Sequence, residues 1–65
     1  VGVKVREVGL MLVGQMEGGT WGCWWRHLDP DSSSPADTAK TREEIEEKAK
    51  DLTRDRRIQA WINRG

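Results

Sequence analysis

Three of the four tryptophans in this 65-residue chain fall within five consecutive positions, Trp21-Gly22-Cys23-Trp24-Trp25, in a sequence with neither Phe nor Tyr. Side chains alternate across a β-strand, so Trp21, Cys23 and Trp25 share one face and Trp24 takes the other. A sheet built on this segment has bulky aromatic surface on both sides, and a single core absorbs only one of them. Trp24 is therefore expected on the face away from the core, where a large apolar group marks an interaction surface.

The run Val8-Gly9-Leu10-Met11-Leu12-Val13 is too short for a typical helix and reads as the strand that pairs with the tryptophan segment. Upstream, Val1, Val3 and Val5 alternate with Gly2, Lys4 and Arg6. The apolar parity shifts at Glu7-Val8, as a bulge or a loose terminal arm requires. Gly18 and Gly19 adopt positive φ without penalty and predict a tight hairpin in which they are the two central turn residues. In that register Gln15 faces Gly22, Val13 faces Trp24 and Leu12 faces Trp25. Val8, Leu10, Leu12, Met16, Trp21, Cys23, Trp25 and His27 then form the core face. Gly9, Met11, Val13, Gln15, Gly22, Trp24, Arg26 and Leu28 form the open one.

Two prolines and three serines in Asp29-Pro30-Asp31-Ser32-Ser33-Ser34-Pro35 exclude regular structure and predict a loop over 29–40. Thr41-Arg42-Glu43-Glu44 has the spacing of a capping box and starts a helix over 41–54, with Ser34-Pro35 as an alternative, earlier start. Glu43, Glu44, Glu46 and Glu47 precede Lys48, Lys50 and Arg54, matching the helix dipole. Glu44 with Lys48 and Glu46 with Lys50 are spaced for side-chain ion pairs. Ile45, Ala49 and Leu52 make a narrow apolar stripe. Ile58, Trp61 and Ile62 fall roughly 160 to 260° around the wheel from Ile45, so a change of period to a strand over 57–63 is the simpler reading. That strand would put Trp61 on the open side of the sheet with Trp24.

These elements predict one small α+β domain spanning residues 1–65: a hairpin over 7–28, the loop, the helix and the last strand. The order is ββαβ, a three-stranded antiparallel sheet with one helix on one face. The alternative is a ββα unit whose long C-terminal helix runs to the end and offers its second apolar stripe to another chain.

Charge balances at eleven basic and eleven acidic residues, so nothing global drives association with nucleic acid or anionic membranes. No stretch approaches the ~20 apolar residues of a membrane span. The single cysteine excludes an intramolecular disulfide and fits a reducing, cytoplasmic setting. A chain of this length buries only about 60% of its unfolded surface, which favours self-association as a source of stability.

Catalytic chemistry finds little support. Cys23 and His27 share a strand face, but four residues of strand separate them by about 13 Å, too far for a thiolate and its base. His27, Asp29 and Asp31 are a poor metal constellation. A calcium loop starting at Asp29 fails, with Ser34 where glycine is required and Lys40 where a bidentate Glu belongs. Gly18-Gly19 lacks the Lys and Ser/Thr of a phosphate loop. No catalytic residue, metal site or cofactor is therefore assigned.

The expected function is binding without catalysis. Trp24, Trp61, Met11 and Val13 are expected to form an exposed patch with Arg26 at its rim, which takes another protein or a second copy of the chain. The alternative partner is single-stranded nucleic acid, with bases on Trp24 and Trp61 and phosphates on Lys4, Arg26, Arg57 and Arg64.

The short length, the Val start, the glycine-turn hairpin and the final Glu/Lys/Arg-rich segment resemble small accessory proteins of bacteriophages. The resemblance implies a small regulator or inhibitor that binds a host or phage protein, such as a transcription or replication component, and alters its activity.

Overall fold

A computed structural model describes residues 4–64; Val1, Gly2 and Val3, with the alternation expected of them, and Gly65 lie outside the described residues. The architecture is α+β: a four-stranded antiparallel sheet and one C-terminal helix. The strands are β1 (Val5–Val8), β2 (Met11–Gln15), β3 (Trp21–Trp25) and β4 (Asp37–Ala39), and the helix is α1 (Arg42–Arg64). They form a meander in the spatial order β1-β2-β3-β4, with α1 packed across one face.

The apolar run over 8–13 is two strands and a turn, where the sequence predicts one strand. The parity shift after Glu7 marks a reversal of the chain. Val8 pairs with Met11, leaving Gly9 and Leu10 as a two-residue loop. Gly9 has φ +61°, the glycine-first pattern of a type II′ hairpin turn, whose twist matches that of the strands it joins.

The second hairpin turns through three residues, one more than expected. The Gly19 N–H donates to the Met16 carbonyl at 3.1 Å, and the Met16 N–H donates to the Thr20 carbonyl at 2.7 Å. Gly18 and Gly19 have φ of +92° and +91°. A type II turn over Met16–Gly19 requires positive φ at Gly18, and Gly19 continues it as an extra positive-φ residue before the ladder. This moves the register by one: Leu12 pairs with Trp24, Val13 with Cys23 and Met11 with Trp25. Because strand faces alternate, Met11 and Val13 point to the helix, and Leu12 takes the opposite face.

The core under α1 consists of Val8, Met11, Val13, Cys23, Ala39, Ile45 and Ala49, with Trp21, Trp25 and Leu52 packed against it. The expected core-facing parity of Trp21, Cys23 and Trp25 thus holds, as does the inward stripe Ile45, Ala49 and Leu52.

The region expected as loop 29–40 ends in a short edge strand. The Ala36 N–H donates to the Cys23 carbonyl at 2.7 Å, and Asp37, Thr38 and Ala39 then pair with Cys23, Gly22 and Trp21. This covers the outer edge of β3. Thr41 caps α1 as expected, its Oγ1 accepting from the Glu44 N–H at 3.2 Å. Ser34-Pro35 does not start the helix.

Surface pairing follows the tertiary structure in place of the expected four-apart pairs. Lys48 crosses to β4, donating to the Thr38 carbonyl at 2.7 Å and lying 3.5 Å from Asp37. Glu46 lies 3.5 Å from both Arg6 and Arg42.

Residues 57–63 are helical, not a strand, so the long-helix alternative describes the C-terminus. Nothing between Arg42 and Arg64 breaks a helix, since the segment has neither Gly nor Pro. The four strands are also complete before α1 begins. A 23-residue helix is roughly 34 Å long, more than a sheet of three- to five-residue strands can cover. Its C-terminal third therefore overhangs, consistent with overall dimensions of 42 × 22 × 16 Å.

One contact sets the position of α1. Thr53, buried at 4% exposure, sits directly on the first turn, where its Oγ1 accepts from the Leu10 N–H at 3.0 Å. A Cβ at Gly9 would lie 2.6 Å from that same oxygen. Gly9→Ala therefore combines a disfavoured φ with a steric clash and is expected to lower stability by about 2–4 kcal/mol. Thr53→Val keeps the shape, leaves the Leu10 N–H unpaired and is expected to cost about 1–3 kcal/mol. Urea unfolding measures both; an unchanged midpoint for Gly9→Ala would refute the assignment.

Candidate functional site

The residues expected to form one exposed patch occupy four separate places. Met11 and Val13 are core residues under α1, at 0% and 4% exposure, because the three-residue turn reverses the face assignment of β2. Trp24 does lie on the face away from the helix, as alternation requires, but it is only 1% exposed. The loop that follows β3 folds back over it.

The cover on Trp24 is specific. Its Nε1 donates to the Ser33 carbonyl at 2.9 Å, which satisfies the buried indole N–H. A Cβ at Gly22 would meet Trp24 Cη2 at 3.0 Å, Met16 Sδ at 3.1 Å and Pro35 Cβ at 3.2 Å. Gly22 thus provides a trough in which the indole, Met16 and Pro35 gather. The Ser/Pro-rich segment that reads as a connecting loop is the lid of a second, small apolar cluster. Two aromatic faces on one strand are accommodated by two covers, α1 on one side and the loop on the other.

Trp61 is separated from Trp24 and stands on the overhang of α1 at 75% exposure, with Ile58 at 46% and Ile62 at 55%. The spacing of these three residues places them on one helical face. That face lies roughly opposite the Ile45, Ala49 and Leu52 stripe on the wheel. The change of apolar face along α1 is thus a change from a side covered by the sheet to a side left open. The wheel positions of these residues carry the signal for this surface, and the continuous helical register reveals its meaning.

Arg26 belongs to a fourth place, the turn after β3, where it lies 3.5 Å from Glu7. Leu10, Trp25, Arg26, His27 and Arg56 surround an open depression of about 410 Å³ there. The Arg56 guanidinium stands over the Trp25 ring, Cζ 5.0 Å from the centroid.

Cys23 is closed off in the core, with its Sγ–H directed to the Asp37 carbonyl at 3.8 Å, while His27 is exposed beyond the end of β3. Burial pushes the Cys23 thiol above its ordinary value of 9.0. Among the described residues, no three His, Cys, Asp or Glu side chains gather as a metal site, and no helix is long and apolar enough to cross a membrane.

Two outcomes test these placements. Trp24→Ala empties the covered trough and is expected to cost about 3–5 kcal/mol, whereas Trp61→Ala should change stability by no more than about 0.5 kcal/mol. Denaturant melts of the two variants compare them directly, and equal losses would contradict the two environments. Cys23 should react with iodoacetamide far more slowly in the folded protein than in denaturant. Because the folded state holds the thiol proton more tightly, this group's contribution to stability is complete below pH 9.0 and is lost as pH rises through the raised folded value. Rapid labelling of the native protein at neutral pH would show that the core is open. Comparison of the chain with models of known protein families, with curated proteins and with solved structures finds no match in any of the three.

Proposed function

We propose that this protein acts by binding another protein, without catalysis, through the overhanging end of α1. The observation that supports the reading is the stripe Ile58, Trp61 and Ile62, more than half of whose combined surface is open to solvent. Residues at i, i+3 and i+4 on a projecting helix fit an apolar groove on a partner. Tryptophan is the residue type that most often anchors such a contact. The binding residues are then Trp61 with Ile58 and Ile62, in place of the expected Met11, Val13 and Trp24. A small chain that fills a groove on a larger protein would act as its regulator or inhibitor. A second copy of this chain is the simplest partner of the same kind.

The arginines give a second reading a specific basis. Arg54, Arg57 and Arg64 lie within about 60° of Trp61 on the wheel of α1. Single-stranded nucleic acid could stack a base on Trp61 while its phosphates meet these side chains.

Light scattering at two protein concentrations and two salt concentrations tests the first reading, using the native chain and the pair Ile58→Gln with Trp61→Gln. A salt-insensitive dimer that the double variant abolishes would identify self-association through the stripe. A monomer should instead retain a partner on an affinity matrix, and the double variant should lose it. Retention unaffected by the double variant would refute the proposal. Quenching of Trp61 fluorescence by an oligonucleotide, steeply weakened by salt, would favour the nucleic-acid reading.

A further inference from the structure

We infer that the depression at the Leu10 end of the sheet is a binding site for a phosphate monoester. It is distinct from the helical stripe, because Arg56 projects toward the sheet side of α1, about 140° or more from Trp61 and Ile58 on the wheel.

Three segments build the site. The β1–β2 turn gives Leu10, the end of β3 and the turn after it give Trp25, Arg26 and His27, and α1 gives Arg56. They are held in place from beneath. The Arg26 N–H donates to the Leu10 carbonyl at 3.2 Å, and the Leu10 N–H donates to Thr53, three residues before Arg56.

Arg56 is positioned by a cation–π contact. Its Cζ stands over the Trp25 ring, 5.0 Å from the centroid, which holds the guanidinium at the depression. Arg56 takes part in none of the ion pairs among the described residues. Among the described residues the Arg26 side chain is engaged only by Glu7 at 3.5 Å, with both side chains more than half exposed. Such a pair is weak, so a more highly charged anion can draw Arg26 away. His27 retains an N–H donor in either protonation state. Leu10 and Trp25 supply the apolar part of the lining.

The donor set fits a phosphate monoester better than a carboxylate. A monoester carries a charge of about −1.5 to −2 and three strong acceptor oxygens. Two guanidinium groups and one imidazole can each take one of them. A carboxylate offers one charge and two oxygens, which a single arginine satisfies.

The test is a titration of the full chain at constant ionic strength, followed by NMR of the Trp25 indole and His27 ring signals. Inorganic phosphate, phosphoserine and adenosine monophosphate are the ligands, with chloride and a 5′-dephosphorylated oligonucleotide as controls. The three phosphates should shift both signals saturably. Arg56→Gln and Arg26→Gln should each weaken binding about tenfold or more, while Lys50→Gln should leave it unchanged. Circular dichroism checks that each variant is folded, and Arg26 lies outside the helix, so the two variants test the site independently. Equal affinity for the two phosphate-bearing organic ligands would assign recognition to the phosphate alone, and a preference for either would name its carrier. Absence of saturable shifts, insensitivity to both arginine variants, or equal binding of the dephosphorylated oligonucleotide would overturn the inference.

Discussion

The structure depends on the close approach of Thr53 to the Gly9-Leu10 turn. A helix crossing a small sheet can slide along it, because aliphatic contacts are tolerant of displacement. A hydroxyl that must meet one backbone N–H, over a residue with no side chain, is not tolerant. The contact fixes how far α1 advances over β1 and β2. From that position follow the burial of Ile45 and Ala49, the seating of Arg56 on Trp25, and the length of helix that projects past the sheet.

The sheet solves the problem set by its tryptophans through separate covers of different kinds. The helix side is a broad apolar layer that includes the buried Cys23 and has Trp21 and Trp25 packed against it. The other side is a narrow trough in which Trp24 is held by a glycine beneath it and a proline and methionine beside it, its one polar atom paired with a loop carbonyl. The loop is therefore a structural element in its own right. Its prolines and serines limit regular structure without preventing a defined path.

Much of this was legible in the sequence, and the exceptions have definite causes. The α+β class, the Gly18-Gly19 hairpin, the Thr41 cap and the inward parity of Trp21, Cys23 and Trp25 follow from local chemistry. Register does not, because two- and three-residue loops containing two glycines are hard to distinguish, and one extra residue exchanges Leu12 for Met11 and Val13. Gly9 was visible as an interruption of an apolar run, but its role as a turn depends on Thr53, 44 positions away in the chain, being there to receive it. β4 is three residues long and exists through its pairing with β3, so no periodicity could announce it. The Ile58, Trp61 and Ile62 stripe was visible as a set. Its assignment to a strand rested on the change of apolar face around the wheel, which a helix that runs past the sheet also produces. The cluster around Arg56 brings together residues from distant segments, and only the folded chain assembles it.

The overhang of α1 has a thermodynamic consequence. Starting a helix is costly because several residues must be fixed before the first hydrogen bond forms, whereas lengthening an existing helix adds a bond for each residue fixed. The part of α1 clamped on the sheet acts as a permanent nucleus for the part beyond it. The projecting turns therefore need only the small propagation balance of their own residues, which lies near neutrality for sequences of this kind. A surface that docks on them would begin from a segment already aligned, and would tighten its last turns one residue at a time instead of ordering a disordered tail in a single step.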